Sequence, residues 1–375
     1  MNPLVKLGKL GQSPWLDYIH RGMIASGELA RLVSEDGIKG VTSNPTIFEK
    51  AISEGHEYDA QIQEISAARK GLMEAYTGIV TEDIRRAADV LRPVYDATFG
   101  EDGYVSLEVE PDLAYDAPRT IARAEELFRI VSRPNVFIKI PATAEGLPAI
   151  EETISRGVPV NVTLIFSVTR YEEVAAAYIR GVKRLIASGG DPRRVASVAS
   201  FFVSRVDTSV DKLLEETILR WPGSPRAETA ISLLGKVAVA NARLAYARFR
   251  AIFSAPEWRD PASKGARGQR PLWASTGTKN PKFSDVKYVE ELIGPKTVNT
   301  MPPQTMDAFR DHGNVVDTLT LHEGEAKAVL RDLGILDIGL EEVCEKLSRD
   351  GVQSFADSYR KLLAAIERRL APSPA

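Results

Sequence analysis

Apolar residues in this chain come in short bursts separated by longer amphipathic stretches. Eight bursts recur: SPWLDYI (13–19), IKGVTSN (38–44), YVSLEVE (104–110), NVFIKIPA (135–142), VPVNVTLIF (158–166), VASVASFFVSRV (195–206), RPLWASTGT (270–278) and KTVNTMPP (296–303). Their branched and aromatic residues predict buried strands. Between them the period becomes helical. Tyr171, Val174, Ala175, Tyr178, Val182, Leu185 and Ile186 follow i, i+3, i+4 spacing, so a helix starts at Ser167, a good N-cap, and runs to about residue 188. Asp116 predicts the cap of another, with Ile121, Ala124, Leu127, Phe128 and Val131 facing inward. Ser284 predicts the start of a third that stops at Gly294.

Strands alternating with helices imply a parallel sheet. Eight units, with no Gly-x-Gly-x-x-Gly after the first strand, favour an α/β fold closed as a (β/α)8 TIM barrel over a doubly wound sheet. Such barrels take about 250 residues, and this chain has 375. The surplus falls at 46–103, at 207–269 and in a C-terminal helical segment at about 304–370. The expectation is therefore a single TIM-barrel domain over 1–375, with the barrel at about 13–303 and additional helices at the C-terminus and in loops. WPGSPRAET reads as a loop with Trp221 half-buried, and the last residues, APSPA, as a frayed end.

Composition narrows the partners. The chain is 44% hydrophobic and 26% charged with a net charge of -3, which gives no electrostatic case for nucleic acid. No run approaches the roughly 20 apolar residues of a membrane span. MNPLVKLGKLGQSPW lacks the pattern of a secretory signal. The single cysteine, Cys344, cannot form an internal disulfide, which fits a reducing cytoplasm. His20, His56, His312 and His322 are scattered, and no metal-ligand spacing stands out. Oligomeric state is left open between monomer and homodimer.

Strand parity then sorts the side chains. Val136, Ile138 and Ile140 oppose Phe137 and Lys139; Val105, Leu107 and Val109 oppose Ser106 and Glu108; Val160, Val162, Leu164 and Phe166 oppose Asn161 and Thr163. With the apolar set under the helices, Asp17, Asn44, Glu108, Lys139, Asn161 and Thr163 converge on the axis from five strands. Lysine is among the residues least often buried. A structural reading makes Lys139 and Glu108 a buried ion pair, which stabilises little. The functional reading makes Lys139 a nucleophile, because burial favours the neutral amine that attacks a carbonyl. A lysine, two carboxylates and hydroxyl or amide groups suit Schiff-base chemistry, whose steps need proton donors and acceptors.

The seventh strand ends in WASTGTKNP, where Gly277 lets backbone N–H groups approach an anion and Lys279 adds charge. Arg205 supplies a forked donor at the end of the sixth. Together, on the rim of a barrel, these suggest a phosphorylated carbonyl substrate.

The blocks VTSNPTIF, SLEVEPDLAYD, VFIKIPAT, PVNVTLIFS, SFFVSRVD and WASTGTKNP, in order over about residues 13–310, resemble those of transaldolases, class I aldolase-type enzymes of the pentose phosphate pathway. The resemblance implies a transferase that moves a dihydroxyacetone unit from a ketose phosphate (sedoheptulose 7-phosphate or fructose 6-phosphate) to an aldose phosphate (glyceraldehyde 3-phosphate or erythrose 4-phosphate). It implies no metal and no organic cofactor. Carried over by residue, Lys139 forms the Schiff base, Asp17 takes the C4 hydroxyl proton, and Glu108 with Thr163 and a held water relays protons. Asn44 and Asn161 hold the dihydroxyacetone hydroxyls, and Ser200 lines the pocket. Phe202 and Ser275 shape the channel, and Arg205 binds phosphate. Many relatives carry a second arginine two residues after the serine matching Ser275. This chain has Gly277 there, so phosphate binding is assigned to Lys279 or to the Gly277 backbone. Two rivals stand beside transfer: an aldolase releasing free dihydroxyacetone, and a sugar-phosphate-binding barrel without activity.

Overall fold

A computed structural model of the chain describes residues 2–370; the APSPA end lies outside them. Eight strands close in sequence order into one parallel barrel. They are β1 (Gln12–Leu16), β2 (Gly40–Val41), β3 (Tyr104–Glu108), β4 (Val136–Pro141), β5 (Val160–Ile165), β6 (Ser197–Phe202), β7 (Arg270–Ala274) and β8 (Thr297–Met301). The seam runs from Gln12 opposite Thr297 to Leu16 opposite Met301. Each expected strand is present, cut shorter at its C-terminal end. The tails that read as strand instead turn into the loops and helix starts of the rim. Asn44 caps the helix Pro45–Glu54 by accepting from the Ile47 N–H, and Arg205 lies in the first turn of the helix Ser204–Arg220 rather than on a strand.

The inward-facing side chains stack in layers, as parity requires. At the N-terminal end Arg270 pairs with Asp102 at 2.9 Å and donates to Ser13, a buried cluster that plugs the barrel. Above it Trp15, Phe137 and Tyr104 stack, with ring centroids 6.1 Å and 4.0 Å apart in that order. Gly40 makes room for this layer, since a Cβ there would lie 2.3 Å from the Trp15 ring. Next comes a polar layer in which Asn161 donates to Ser106 at 3.0 Å and accepts from Ser200 at 2.6 Å. Lys139 and Glu108 lie above that.

The helix Val168–Ala187 begins at the Ser167 cap, and Ala117–Val131 begins at the Asp116 cap. The third expected helix is reduced to Lys287–Glu290. Ser284 still holds its start, accepting from the Lys287 and Val286 N–H groups, but the helix ends at Glu290, and Leu292 and Ile293 beyond it are buried outside any helix. Trp221 is 48% exposed, so about half of it is buried, and the Arg220 guanidinium lies over its ring.

The segment 46–103 forms three helices ending in Leu72–Ala97, and 207–269 is helical nearly throughout. The last helix, Leu340–Leu370, has 31 residues, about 46 Å at 1.5 Å per residue. It crosses the C-terminal mouth of the barrel. At one end Ser167 donates to Glu341 at 2.7 Å and the Cys344 thiol donates to the Phe166 carbonyl. Burial pushes that thiol up to about 12, so it is an anchor and not a nucleophile. Further on, Thr46 bonds Ser358 at 2.8 Å, Tyr359 packs edge-on against Tyr76, and Arg369 pairs with Asp59. No helix among the described residues is long and apolar enough to cross a membrane.

Asp207 knits the second group of extra helices together, accepting from the Ala238 N–H at 2.7 Å and from the Tyr288 hydroxyl at 2.9 Å. Burial pushes its carboxyl up to about 6 despite those bonds. The folded chain therefore holds this proton where the unfolded chain, near 3.9, has lost it. Stability falls as pH rises through that window, by roughly 3 kcal/mol in all. Asp207→Asn is expected to remove this slope between pH 4 and 6, read as denaturation midpoints across pH.

Candidate active site

Glu108 and Lys139 are paired residues on neighbouring strands. Their shared inward direction brings the Lys139 Nζ within 3.2 Å of Glu108 Oε2, and the amine also donates to the Ser43 carbonyl at 3.3 Å. Both side chains are buried. The ion pair of the structural reading thus exists. It does not close the matter, because the amine also lines a cavity of ≈160 Å³ opening toward the C-terminal rim. A lysine serving only as a core charge has no need of such access.

Asp17 lies one residue beyond β1, where its N–H donates to the Met301 carbonyl. Thr42 donates to its carboxylate at 2.6 Å and stands 2.6 Å from Thr300. Burial raises the Asp17 carboxyl above its ordinary range, opposed by the Thr42 bond and by the charges of Lys139 and Arg205. Burial likewise raises Glu108, opposed by Lys139 and reinforced by the negative charge of Asp17. Both carboxyls are thus shifted toward the pH range where proton transfer at neutrality is efficient.

Thr163 lines the same cavity from β5. Its hydroxyl and Glu108 Oε1 are buried without a hydrogen-bond partner among the described residues. Such atoms are costly in a folded protein and mark places where function uses the polarity. Immediately after Thr163 the ladder to β6 slips, and Leu164 takes a left-handed φ of 60°. Bulges of this kind re-aim side chains at barrel rims.

The cavity also receives Asn44, Ser200, Phe202, Arg205, Ser275 and Lys279. Because the Asn44 carbonyl oxygen caps a helix, its amide NH2 is the half left to meet a ligand. Asn161 departs from expectation. It is fully buried one layer beneath the cavity, with its amide committed to Ser106 and Ser200. From there it orients Ser200. Ser275 is held at φ 56° with its hydroxyl 3.0 Å from that of Ser204.

Arg205 and Lys279 face each other's charge in this cavity. Burial lowers both from their usual values, and Arg205 lowers Lys279 further, while the negative charge of Asp17 favours the arginine's charge. Two desolvated cations with no ion pair among the described residues form an anion site. A side chain at Gly277 would be crowded, its Cβ lying 3.1 Å from the Thr305 hydroxyl. A second cavity of ≈590 Å³ leads outward, sharing Asn44, Arg205, Pro302 and Phe355 with the first.

Five residues lining the cavity, Thr42, Ala274, Thr300, Pro302 and Phe355, were not expected from the sequence. Thr42 and Thr300 were within reach of the parity argument, since both sit at strand ends with inward direction. Phe355 was not, because on its own helix it reads as one more apolar residue of a packed stripe.

The family described as Transaldolase/Fructose-6-phosphate aldolase matches residues 14–366. A protein named Transaldolase from Frankia alni is 48% identical over 373 residues, covering 99% of this chain and 98% of that protein. A Parafrankia protein of the same name is 50% identical over 369 residues, 98% of each chain. One from Thermobifida fusca is 48% identical over 371 residues, 99% of each. With the buried lysine, the two raised carboxyls and the cationic rim already in place, these matches have one meaning: the chain belongs to the transaldolase/fructose-6-phosphate aldolase family.

Proposed function

We propose that this chain is a transaldolase that carries a dihydroxyacetone unit on Lys139. The observation that carries the reading is a buried lysine amine lining one cavity with Asp17 and two desolvated cations, and paired with Glu108. Amine and cations lining one cavity suit a sugar phosphate, which carries both a carbonyl and a phosphate. Substrates of this class are sedoheptulose 7-phosphate or fructose 6-phosphate as donor, and glyceraldehyde 3-phosphate or erythrose 4-phosphate as acceptor.

Lys139 attacks the donor C2 carbonyl. Glu108 and Thr163, through a water held between them, move the protons that turn the carbinolamine into an iminium. The iminium draws electrons from the C3–C4 bond while Asp17 takes the proton from the C4 hydroxyl, and the aldose phosphate leaves. An enamine stays on Lys139 until an acceptor aldehyde arrives and the steps reverse. Asn44 and Ser200 hold the dihydroxyacetone hydroxyls, Asn161 orients Ser200, and Phe202 and Ser275 shape the channel. Arg205 holds the phosphate together with Lys279 or the Gly277 backbone, which take the part of the second arginine that many family members carry at the position matching Gly277.

Three outcomes are expected. Borohydride reduction with fructose 6-phosphate leaves a reduced dihydroxyacetone adduct on Lys139, seen by peptide mass spectrometry, and Lys139→Ala loses the adduct together with at least about 10³-fold in kcat. Lys279→Ala raises KM for fructose 6-phosphate by about 10- to 100-fold, the worth of one charge-assisted bond, while leaving KM for unphosphorylated fructose nearly unchanged; equal changes would remove Lys279 from the phosphate site. Asp17 must be ionised to act as base, so the acid limb of kcat/KM lies above the ~3.9 of free aspartate. Thr42→Val removes a hydrogen bond that favours the ionised form and moves that limb to higher pH by about one unit.

A further inference from the structure

The C-terminal helix brings one side chain to the reacting nitrogen. The Phe355 ring lies with its centroid 5.5 Å from Lys139 Nζ and is 5% exposed. It borders both the inner cavity and the outer one, so it stands between the amine and the mouth. Its place is fixed from both sides on the same helix face. Four residues earlier, Gly351 lets the helix close on the strand bulge, where an added Cβ would be 2.8 Å from the Leu164 side chain. Three residues later, Ser358 is bonded to Thr46 on the helix that Asn44 caps. The ring is therefore an apolar wall, on the helix side, of the cavity that holds Asp17, Asn44, Lys139 and Thr163.

Packing alone does not account for an aromatic ring here. Its face attracts a cationic nitrogen, and its bulk denies water the direction from which the outer cavity is reached. We infer that Phe355 is a specificity-determining residue that holds the enamine for an aldehyde acceptor and against protonation and release by water. The inference rests on the Schiff-base reading given above and adds to it the choice between transfer and release.

The two fates differ at one carbon. With an aldehyde, the donor's C3 forms a C–C bond to the carbonyl carbon, the nitrogen lone pair returns to make C=N⁺, and the aldehyde oxygen takes the proton from Asp17. With water, C3 takes a proton instead. The resulting iminium is then hydrolysed, water oxygen becomes the ketone oxygen, the C–N bond breaks, and free dihydroxyacetone leaves. A ring that excludes water from the nitrogen and from C3 favours the first course.

The test compares, in the full chain, free dihydroxyacetone formed from fructose 6-phosphate alone with transfer from fructose 6-phosphate to erythrose 4-phosphate. Phe355→Ala is expected to raise the release-to-transfer ratio by about 3- to 30-fold, with the borohydride adduct on Lys139 retained. Phe355→Val keeps an apolar side chain on the helix face yet opens that wall, and is read in the same way should the alanine variant fail to fold. Release and transfer falling by a common factor in the folded variant would make Phe355 a packing residue and overturn the inference. Absence of the Lys139 adduct from the unaltered protein would overturn the Schiff-base reading itself, whereas an adduct with an unchanged ratio overturns only the role of Phe355.

Discussion

A lysine and a glutamate placed side by side on β3 and β4, 3.2 Å apart and out of water, constrain most of what surrounds them. Removing two such charges from solvent costs several kcal/mol per ion, and their mutual attraction repays it only with further polar partners. The neighbourhood supplies them. The Ser43 carbonyl accepts from the amine, and below it a chain of hydrogen bonds runs from Ser200 to Asn161 to Ser106. What remains unsatisfied, Glu108 Oε1 and the Thr163 hydroxyl, borders the place where a carbonyl would react. The pair is a poor device for stability and a good one for chemistry, since it keeps a nucleophile and a proton carrier adjacent before any ligand arrives.

The extra helices give that chemistry a closed chamber. A bare barrel leaves its C-terminal face to loops, but here a 31-residue helix is laid across it and fastened at both rims. The fastening is reciprocal. Leu164 holds its left-handed backbone on the bulge that aims Thr163, and Gly351 of the helix is the residue that lets the roof approach it. Strained backbone of this sort persists only where surrounding packing over-determines it. The same contact thus sets a proton-relay hydroxyl from below and an aromatic wall from above.

Elsewhere in the same cavity wall, charge is arranged the other way. Arg205 and Lys279 repel each other in a poorly solvated space, so their juxtaposition is unfavourable until an anion joins them. Raised carboxyls and depressed cations around one cavity make a field that orients a molecule bearing both a carbonyl and a phosphate.

Much of this was written in the order of the residues. Alternating apolar runs gave eight strands, and parity alone put Glu108, Lys139 and Thr163 on one face, because side-chain direction in a strand is a local property. Caps at Asp116 and Ser167 were equally local. Chain order could not tell which inward polar residues would meet solvent. Asn161 and Lys139 are paired across neighbouring strands, yet one is sealed beneath the cavity and the other opens into it, a difference set by barrel stagger and side-chain length. Nor could it reveal that an expected helix after Ser284 would give way to four residues of helix, since burial against the core overrode its periodicity. Phe355 is the clearest case. Its spacing specifies a buried helix face and nothing more; that the buried face covers a reactive amine more than 200 positions away in sequence was decided by where the tertiary structure laid the helix, because only packing across the barrel mouth brings the two together.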